Sequence, residues 1–266
     1  MAHDKPWETI FRESGMNNHD FNVAPFILTA EQIKKAWKRN NKVSDNEVRT
    51  LCKQDTRESR PKIFQDNGLF ILPKHNGEYY VIKGEGYINI PEIDSEIEKY
   101  KSQLDFNLAS SKIGDSEMQH VDYAYANSLI RTFLDDQSLV LTIRGRKFTP
   151  KFSFKVNGFE LEADSVQSEV DAGYEGRNQI VLIEAKNIKN NKTKRNCFHN
   201  TIIRQLYYPY RKWSIETGKV VVPVYFEKRI IEGELIYHIW QFTFTDPEDY
   251  NSIKVVKSSR YRIITG

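Results

Sequence analysis

The chain has only two cysteines, Cys52 and Cys197, in 266 residues. Two thiols cannot build a disulfide framework, and they suit a reducing compartment. No apolar run approaches the roughly 20 residues that a membrane-spanning helix needs. The stretch from Met1 to Ile10 carries Asp4, Lys5 and Glu8 where a secretion signal would be apolar. The expectation is a soluble, cytoplasmic protein with no membrane partner. No internal repeat, low-complexity tract or Walker pattern occurs, and Gly84 and Gly86 do not make a phosphate loop. The six histidines lack metal-ligand spacing, and Cys197 and His199, two apart, have no second pair nearby, which excludes a zinc site. Net charge is small as well, at +3, so no global field points to a polyanion.

The charge that is present lies in blocks. Lys186, Lys189, Lys192, Lys194, Arg195, Arg204, Arg211 and Lys212 follow one another with no Asp or Glu between them. A second basic block runs through Lys34, Lys35, Lys38, Arg39 and Lys42, against an acidic one at Glu92, Asp94, Glu96 and Glu98. Basic blocks suit a phosphate backbone, and they equally suit solvated loops. A hydrophobic fraction of 39% marks a chain that folds.

Two organisational units emerge. In residues 1–105, Thr29 and Gln32 form a capping-box pattern ahead of Ile33, Ala36 and Trp37. Asp45 opens a second helix with Val48, Leu51 and Cys52. Leu69–Leu72 and Tyr79–Ile82 read as strands joined through Pro73–Gly77. Two helices and a hairpin give a winged-helix-like domain. Its DNA contacts would come from Lys34, Lys35, Lys38 and Arg39, or from Arg49, Lys53, Arg57 and Arg60. Ile93, Ile97 and Tyr100 predict a connecting helix. In residues 106–266, Ser116 caps a helix with Val121, Tyr125, Leu129 and Phe133 on one face. Strands follow at 139–143, 151–156, 167–172 and 179–186, then a helix from Asn200 to Trp213 and strands at 219–226, 235–244 and 253–264. That order predicts an α/β core on a mixed central sheet, α+β overall.

The chemistry concentrates in Gln167–Gly173 and Gln179–Asn187. Ile180–Ile183 is apolar at every position, the pattern of a buried strand. It ends in Glu184 and Lys186, which share a face because they are two apart. Glu169 and Asp171 are also two apart, and the turn Tyr174–Asn178 allows the two strands to pair, bringing Asp171 beside Glu184. Adjacent carboxylates repel unless a cation compensates them. Hard oxygen ligands favour Mg²⁺ bridging to a phosphate, with Lys186 on the attacking water.

Asp171 followed by Glu184-Ala185-Lys186 resembles the PD-(D/E)XK nuclease superfamily; Val170 stands where the name has Pro. The stretches Asn46–Arg49, Arg57–Phe64, Phe70–Pro73, Tyr123–Asn127, Phe152–Val156, Glu169–Gly176 and Arg204–Arg211 resemble one group of type II restriction endonucleases. The resemblance implies a restriction-endonuclease-like core, catalytic Asp171, Glu184 and Lys186, and a metal site of Asp171, Glu184 and the Ala185 carbonyl. It also implies site-specific cleavage of double-stranded DNA with Mg²⁺, leaving 5′-phosphate ends. A homodimer is expected, alongside a cognate DNA methyltransferase that forms no stable complex with it. Glu169, Glu117 and Gln205 are candidates for supporting the centre, although Glu169 equally suits a solvated charge and Glu117 a helix-dipole role. Lys189, Lys192, Lys194, Arg195 and Arg204 are candidates for phosphate contact. Tyr207, Tyr208 and Tyr210 read first as packing residues. Two alternatives stand beside this reading: a repair or recombination nuclease of the same superfamily, and a DNA-binding regulator that does not cut.

Overall fold

Thr29 ends a strand and starts a helix. Its Oγ1 accepts a hydrogen bond from the Gln32 amide (3.1 Å) while its own amide donates to Gln32 Oε1 (2.8 Å), so two otherwise unpaired donors are satisfied reciprocally. The computed structural model describes residues 4–37, 45–112, 114–188 and 200–265. Its N-terminal unit comprises α1 (Asp4–Ser14), β1 (Phe26–Thr29), α2 (Ala30–Ala36), α3 (Asp45–Leu51), α4 (Lys62–Asp66), β2 (Leu69–His75) and β3 (Glu78–Lys83). The strands form an antiparallel sheet in the order β1-β3-β2. Trp7, Phe11, Ile33, Val48, Leu51 and Phe64 fill its core, and Trp7 Nε1 donates to the Leu51 carbonyl (3.3 Å), tying α1 to α3. The two helices and hairpin expected here are present; α1, β1 and α4 are additions that the sequence reading lacked.

The second unit contains β4 (Tyr87–Asn89), β5 (Glu98–Lys101), α5 (Glu117–Ala126), α6 (Leu129–Phe133), β6 (Val140–Phe148), β7 (Phe152–Val156), β8 (Phe159–Ala163), β9 (Gln167–Glu175), β10 (Gln179–Asn187), β11 (Asn200–Ile202), α7 (Arg204–Thr217), β12 (Val220–Ile231), β13 (Glu234–Phe244) and β14 (Ile253–Ile264). A seven-stranded mixed sheet has the order β5-β14-β13-β12-β10-β9-β6. β10 runs parallel to β12 and β14 parallel to β5; the other pairs are antiparallel. One face is covered by α5 and α6 through Val121, Leu129, Ala172, Val181 and Ile183. The other packs against α7 through Leu206, Tyr207, Tyr225 and Trp240. The protein is thus a mixed α/β chain built on a large mixed sheet.

Three expectations fail locally. The helix predicted from Asn200 starts only at Arg204, because Asn200–Ile202 pairs with Tyr87–Asn89 as β11. The helix predicted around Ile93–Tyr100 is instead coil and the edge strand β5, because Tyr100 pairs in register with Ile263 of β14. The single helix from Ser116 to Phe133 breaks in two: Ser116 Oγ caps α5 as expected, accepting from the Gln119 amide (3.2 Å), but Ser128 takes a left-handed backbone (φ 65°) and α6 starts afresh. Strand pairing also ties the residues just before 105 to the second unit, since β4 pairs with β11 and β5 with β14.

Between β12 and β13 lies a buried polar cluster. Glu227 faces His238 across the ladder, and Arg229 Nε donates to Glu227 Oε2 (2.7 Å). Burial, then the positive charges of Arg229 and Arg260, push the His238 imidazole down to about 3. A depressed folded pKa means that the unfolded chain binds the proton more tightly, so stability present above pH 6.5 is lost as pH falls toward 3, at up to about 1.4 kcal/mol per unit. Glu227 works oppositely, since burial raises its carboxyl. The difference between wild type and His238→Leu isolates the histidine: between pH 6.5 and 5, urea titrations should show wild type losing about 2 kcal/mol more than the variant. Parallel losses would remove His238 from acid sensitivity.

Candidate functional site

Ala172 of β9 pairs with Ile183 of β10, and both side chains join the cluster under α5 and α6. One step further along each strand, Asp171 and Glu184 therefore turn to the opposite face, toward α7. A bulge marks the same point. The pairs Ile143↔Gly173 and Gly145↔Val170 leave Arg144 alone opposite Asp171 and Ala172, a two-against-one arrangement that re-aims side chains. Arg144 holds the bulge, with Nη1 donating to the Asp171 carbonyl (3.1 Å) and Nη2 to Asp122.

Three groups converge here. Asp171 Oδ2 accepts from the Ala185 amide (2.8 Å). Lys186 Nζ donates to Glu184 Oε1, and Gln205 Nε2 donates to the same oxygen (2.8 Å). Thr201 Oγ1 donates to Gln205 Oε1 (2.8 Å), which aims the amide nitrogen at Glu184. Glu184 is 9% exposed. Burial pushes its carboxyl up to about 7, opposed by Lys186. Burial also raises Asp171, opposed by the Ala185 amide. For Lys186 burial disfavours the ammonium, but Glu184 outweighs it and holds the lysine protonated. A buried carboxylate, Glu184, and a half-buried one, Asp171, both with raised affinity for a proton, are strained against being ionised together, which is the condition a divalent cation relieves. Among the described residues, no three His, Cys, Asp or Glu side chains form a preformed cage.

The centre lies in the wall of a cleft of about 570 Å³ shared by both units. The N-terminal unit contributes Arg49, Lys53 and Asn76; the second unit contributes Arg146, Arg204, Asp171, Glu184 and Lys186. Glu117, at the start of α5, also lines it, and its Oε1 accepts from the Asn187 amide (3.3 Å) at the end of β10. Glu169 lines it too, half exposed and paired with Arg146 (3.1 Å), as a solvated ion pair would be. Arg204 Nη2 stands 3.6 Å from Asp55.

Other sequence candidates lie elsewhere. Arg57 pairs with Glu85 (3.0 Å) and Asn89 (2.6 Å) across the junction between the units, whereas Arg60 donates to the Leu69 carbonyl (2.9 Å) within the N-terminal unit and reaches across only with its guanidinium over the Tyr87 ring (5.3 Å); neither lines the cleft. Lys34 and Lys35 sit in the last turn of α2, away from it. Lys38, Arg39, Lys189, Lys192, Lys194 and Arg195 lie outside the described residues. Tyr207 and Tyr208 are buried, donating to the carbonyls of Pro247 (2.9 Å) and Pro73 (2.8 Å), in keeping with a packing role. Sequence reasoning missed Arg144, Arg146, Thr201 and Asp55. Thr201 alone had a local signal, standing four residues before Gln205.

No curated protein and no solved structure matches the chain. A family model described as a domain of unknown function (DUF6996) matches residues 4–81. Its end falls within β3, close to the point where strand pairing passes to the second unit. A second model, a domain of unknown function (DUF6997), matches residues 82–262 and so takes in the whole of the Asp171, Glu184 and Lys186 centre; the chain belongs to this DUF6997 family.

Proposed function

We propose that this protein is a Mg²⁺-dependent, site-specific deoxyribonuclease of the type II restriction kind, with a restriction-endonuclease-like core and a winged-helix-like N-terminal domain. The observation that carries the reading is the meeting of Asp171, Glu184 and Lys186 at the end of one buried strand, in a cleft lined by arginines. A structural ion cluster has no need to place two carboxylates with raised pKa values in an open cleft. The order α1-β1-α2-α3-α4-β2-β3, with its three-stranded sheet, supports the winged-helix reading of the N-terminal unit, with the short helix α4 inserted before the hairpin.

The donor set suits Mg²⁺, which is held by one or two carboxylates and keeps its remaining positions for water and phosphate. Asp171, Glu184 and the Ala185 carbonyl would hold it, and when bound it stabilises charge on the phosphate and favours ionised water. Lys186 orients the attacking water on the phosphorus. Gln205, itself fixed by Thr201, keeps Glu184 in place. The new bond joins water oxygen to phosphorus, the bond from phosphorus to the 3′-oxygen breaks, and the products are a 5′-phosphate and a 3′-hydroxyl. Arg146 and Arg204 supply countercharge to the backbone in the cleft. Two copies of the chain would cut the two strands of a symmetric site, a symmetry the dimer would share. The cognate methyltransferase would protect the same bases without a stable complex.

The test is a digest of unmethylated phage DNA by the purified chain with Mg²⁺, beside an EDTA control. Discrete bands lost with EDTA are expected; intact DNA under all conditions would remove the nuclease reading.

A further inference from the structure

Phe148 ends the edge strand β6, and its ring is 57% exposed in the wall of the cleft. β6 is the last strand of the seven-stranded sheet, so no strand of that sheet lies beyond it to cover the ring. Tyr208, in the same wall, is buried and its hydroxyl donates to the Pro73 carbonyl (2.8 Å), so its ring belongs to the fold. A lone apolar side chain on an outer surface needs no explanation. A large one standing among arginines inside a cleft has a partner to gain there, because covering its surface is favourable.

The neighbours of the ring say what that partner is. Arg146 and Phe148 are two apart on β6 and share a face, as Glu169 and Gln167 do on β9. The register sets Arg146 against Glu169 and Phe148 against Gln167, and all four residues line the cleft. The pair of Arg146 with Glu169 (3.1 Å) is solvated, with both side chains 58% exposed, and such a pair is weak enough for a phosphate to displace. A phosphate on Arg146 brings the base of an adjacent nucleotide to Phe148. Bases stacked in an intact duplex present their edges to a protein. A phenyl ring has no donor or acceptor with which to read an edge; its affinity is for the face, where stacking on an aromatic ring favours any base. A face becomes available only where a base step opens, as it does around inserted apolar side chains.

We infer that Phe148 stacks on a base of the bound DNA and holds one base step open beside the cleft. This rests on the nuclease reading above. The strand geometry also sets where the step lies. Gln167, the partner of Phe148, is four residues from Asp171 along β9, roughly 13 Å at about 3.3 Å per residue. Duplex DNA advances about 3.4 Å per base pair, so the opened step is about three to five base pairs from the phosphate that is cut.

The experiment uses 2-aminopurine, a fluorescent base that brightens when it loses its stacked neighbours, placed in turn at each position within about six base pairs of the cut mapped by the digest. The duplexes are held uncut with Mg²⁺ on the full chain carrying Glu184→Gln, with Phe148 intact or with Phe148→Tyr or Phe148→Ala added. One position, about three to five base pairs from the cut, should brighten with Phe148 and with Phe148→Tyr and stay dark with Phe148→Ala. Phe148→Ala should bind about fivefold to a hundredfold more weakly and melt with its parent, since the ring is exposed. Binding with no brightened position, as for a groove contact to a thymine methyl, would overturn the inference and leave the nuclease reading intact. So would brightening that survives Phe148→Ala, a collapsed melting transition, or sedimentation showing that Phe148→Ala splits a dimer, which would seat the ring on a second copy. Absence of Mg²⁺-dependent cleavage by the wild-type chain would remove the nuclease reading and the inference with it.

Discussion

Glu184→Gln is expected to lose Mg²⁺-dependent cleavage by about a thousandfold or more while still folding and binding duplex DNA. The loss follows from removing one of two carboxylates that would hold the cation, whose charge stabilisation is worth several kcal/mol, each 1.4 kcal/mol being tenfold in rate. Folding should survive for identifiable reasons. The glutamine keeps an oxygen for the bonds from Gln205 and Lys186, and it removes a buried charge that burial already disfavours. The Lys186 ammonium, deprived of its nearest partner, retains Asp171 and Glu117 as countercharges. Single-turnover cleavage and thermal melting of both proteins decide the matter. Cleavage by Glu184→Gln at the wild-type rate would take Glu184 out of the chemistry; a collapsed melting transition would mean that it serves the fold instead.

Arg229→Met should be the most destabilising single substitution away from the cleft, by about 3–5 kcal/mol. The guanidinium bridges Glu227 (2.7 Å) and Glu92 (2.9 Å) and lies over the Trp240 ring at 5.8 Å. Glu227 is 0% exposed, so truncation leaves a carboxylate with neither water nor a cation. Removing one partner of a buried pair costs far more than replacing both. Adding Glu227→Gln to the variant should therefore recover part of the loss. The pH dependence has a definite sign. Burial raises the Glu227 carboxyl, and without Arg229 its affinity for a proton grows. The folded variant then binds a proton that the unfolded chain binds less well, so its deficit shrinks as pH falls from 7 toward 5. Urea titrations at both pH values measure this; a loss under 1 kcal/mol at pH 7 would show that the pair is dispensable.

Much of the local structure was legible in the chain itself. Thr29 and Gln32 announced a capping box that the helix uses. Glu184 and Lys186, two apart at the end of an apolar run, could only share a face once that run became a strand, and Asp171 could reach them through a hairpin turn. These are short-range signals, carried by side-chain period and hydrogen-bonding groups within a few residues. β5 was misread because its strand character comes from β14, far away in sequence. The break at Ser128 was invisible because the predicted helix face, Val121 to Phe133, continues across it.

The sequence by itself determined the mixed α/β class, the apolar strand β10 and the acidic and basic residues at its end. Only the tertiary structure decided that Arg144 holds the Asp171 backbone at a bulge between β6 and β9, that Thr201 and Gln205 hold Glu184 in place, and that Arg49, Lys53 and Asn76 look into the same cleft. Periodicity states which face of an element a residue occupies, whereas the neighbour of that face is chosen by long-range pairing and by burial summed over the whole core.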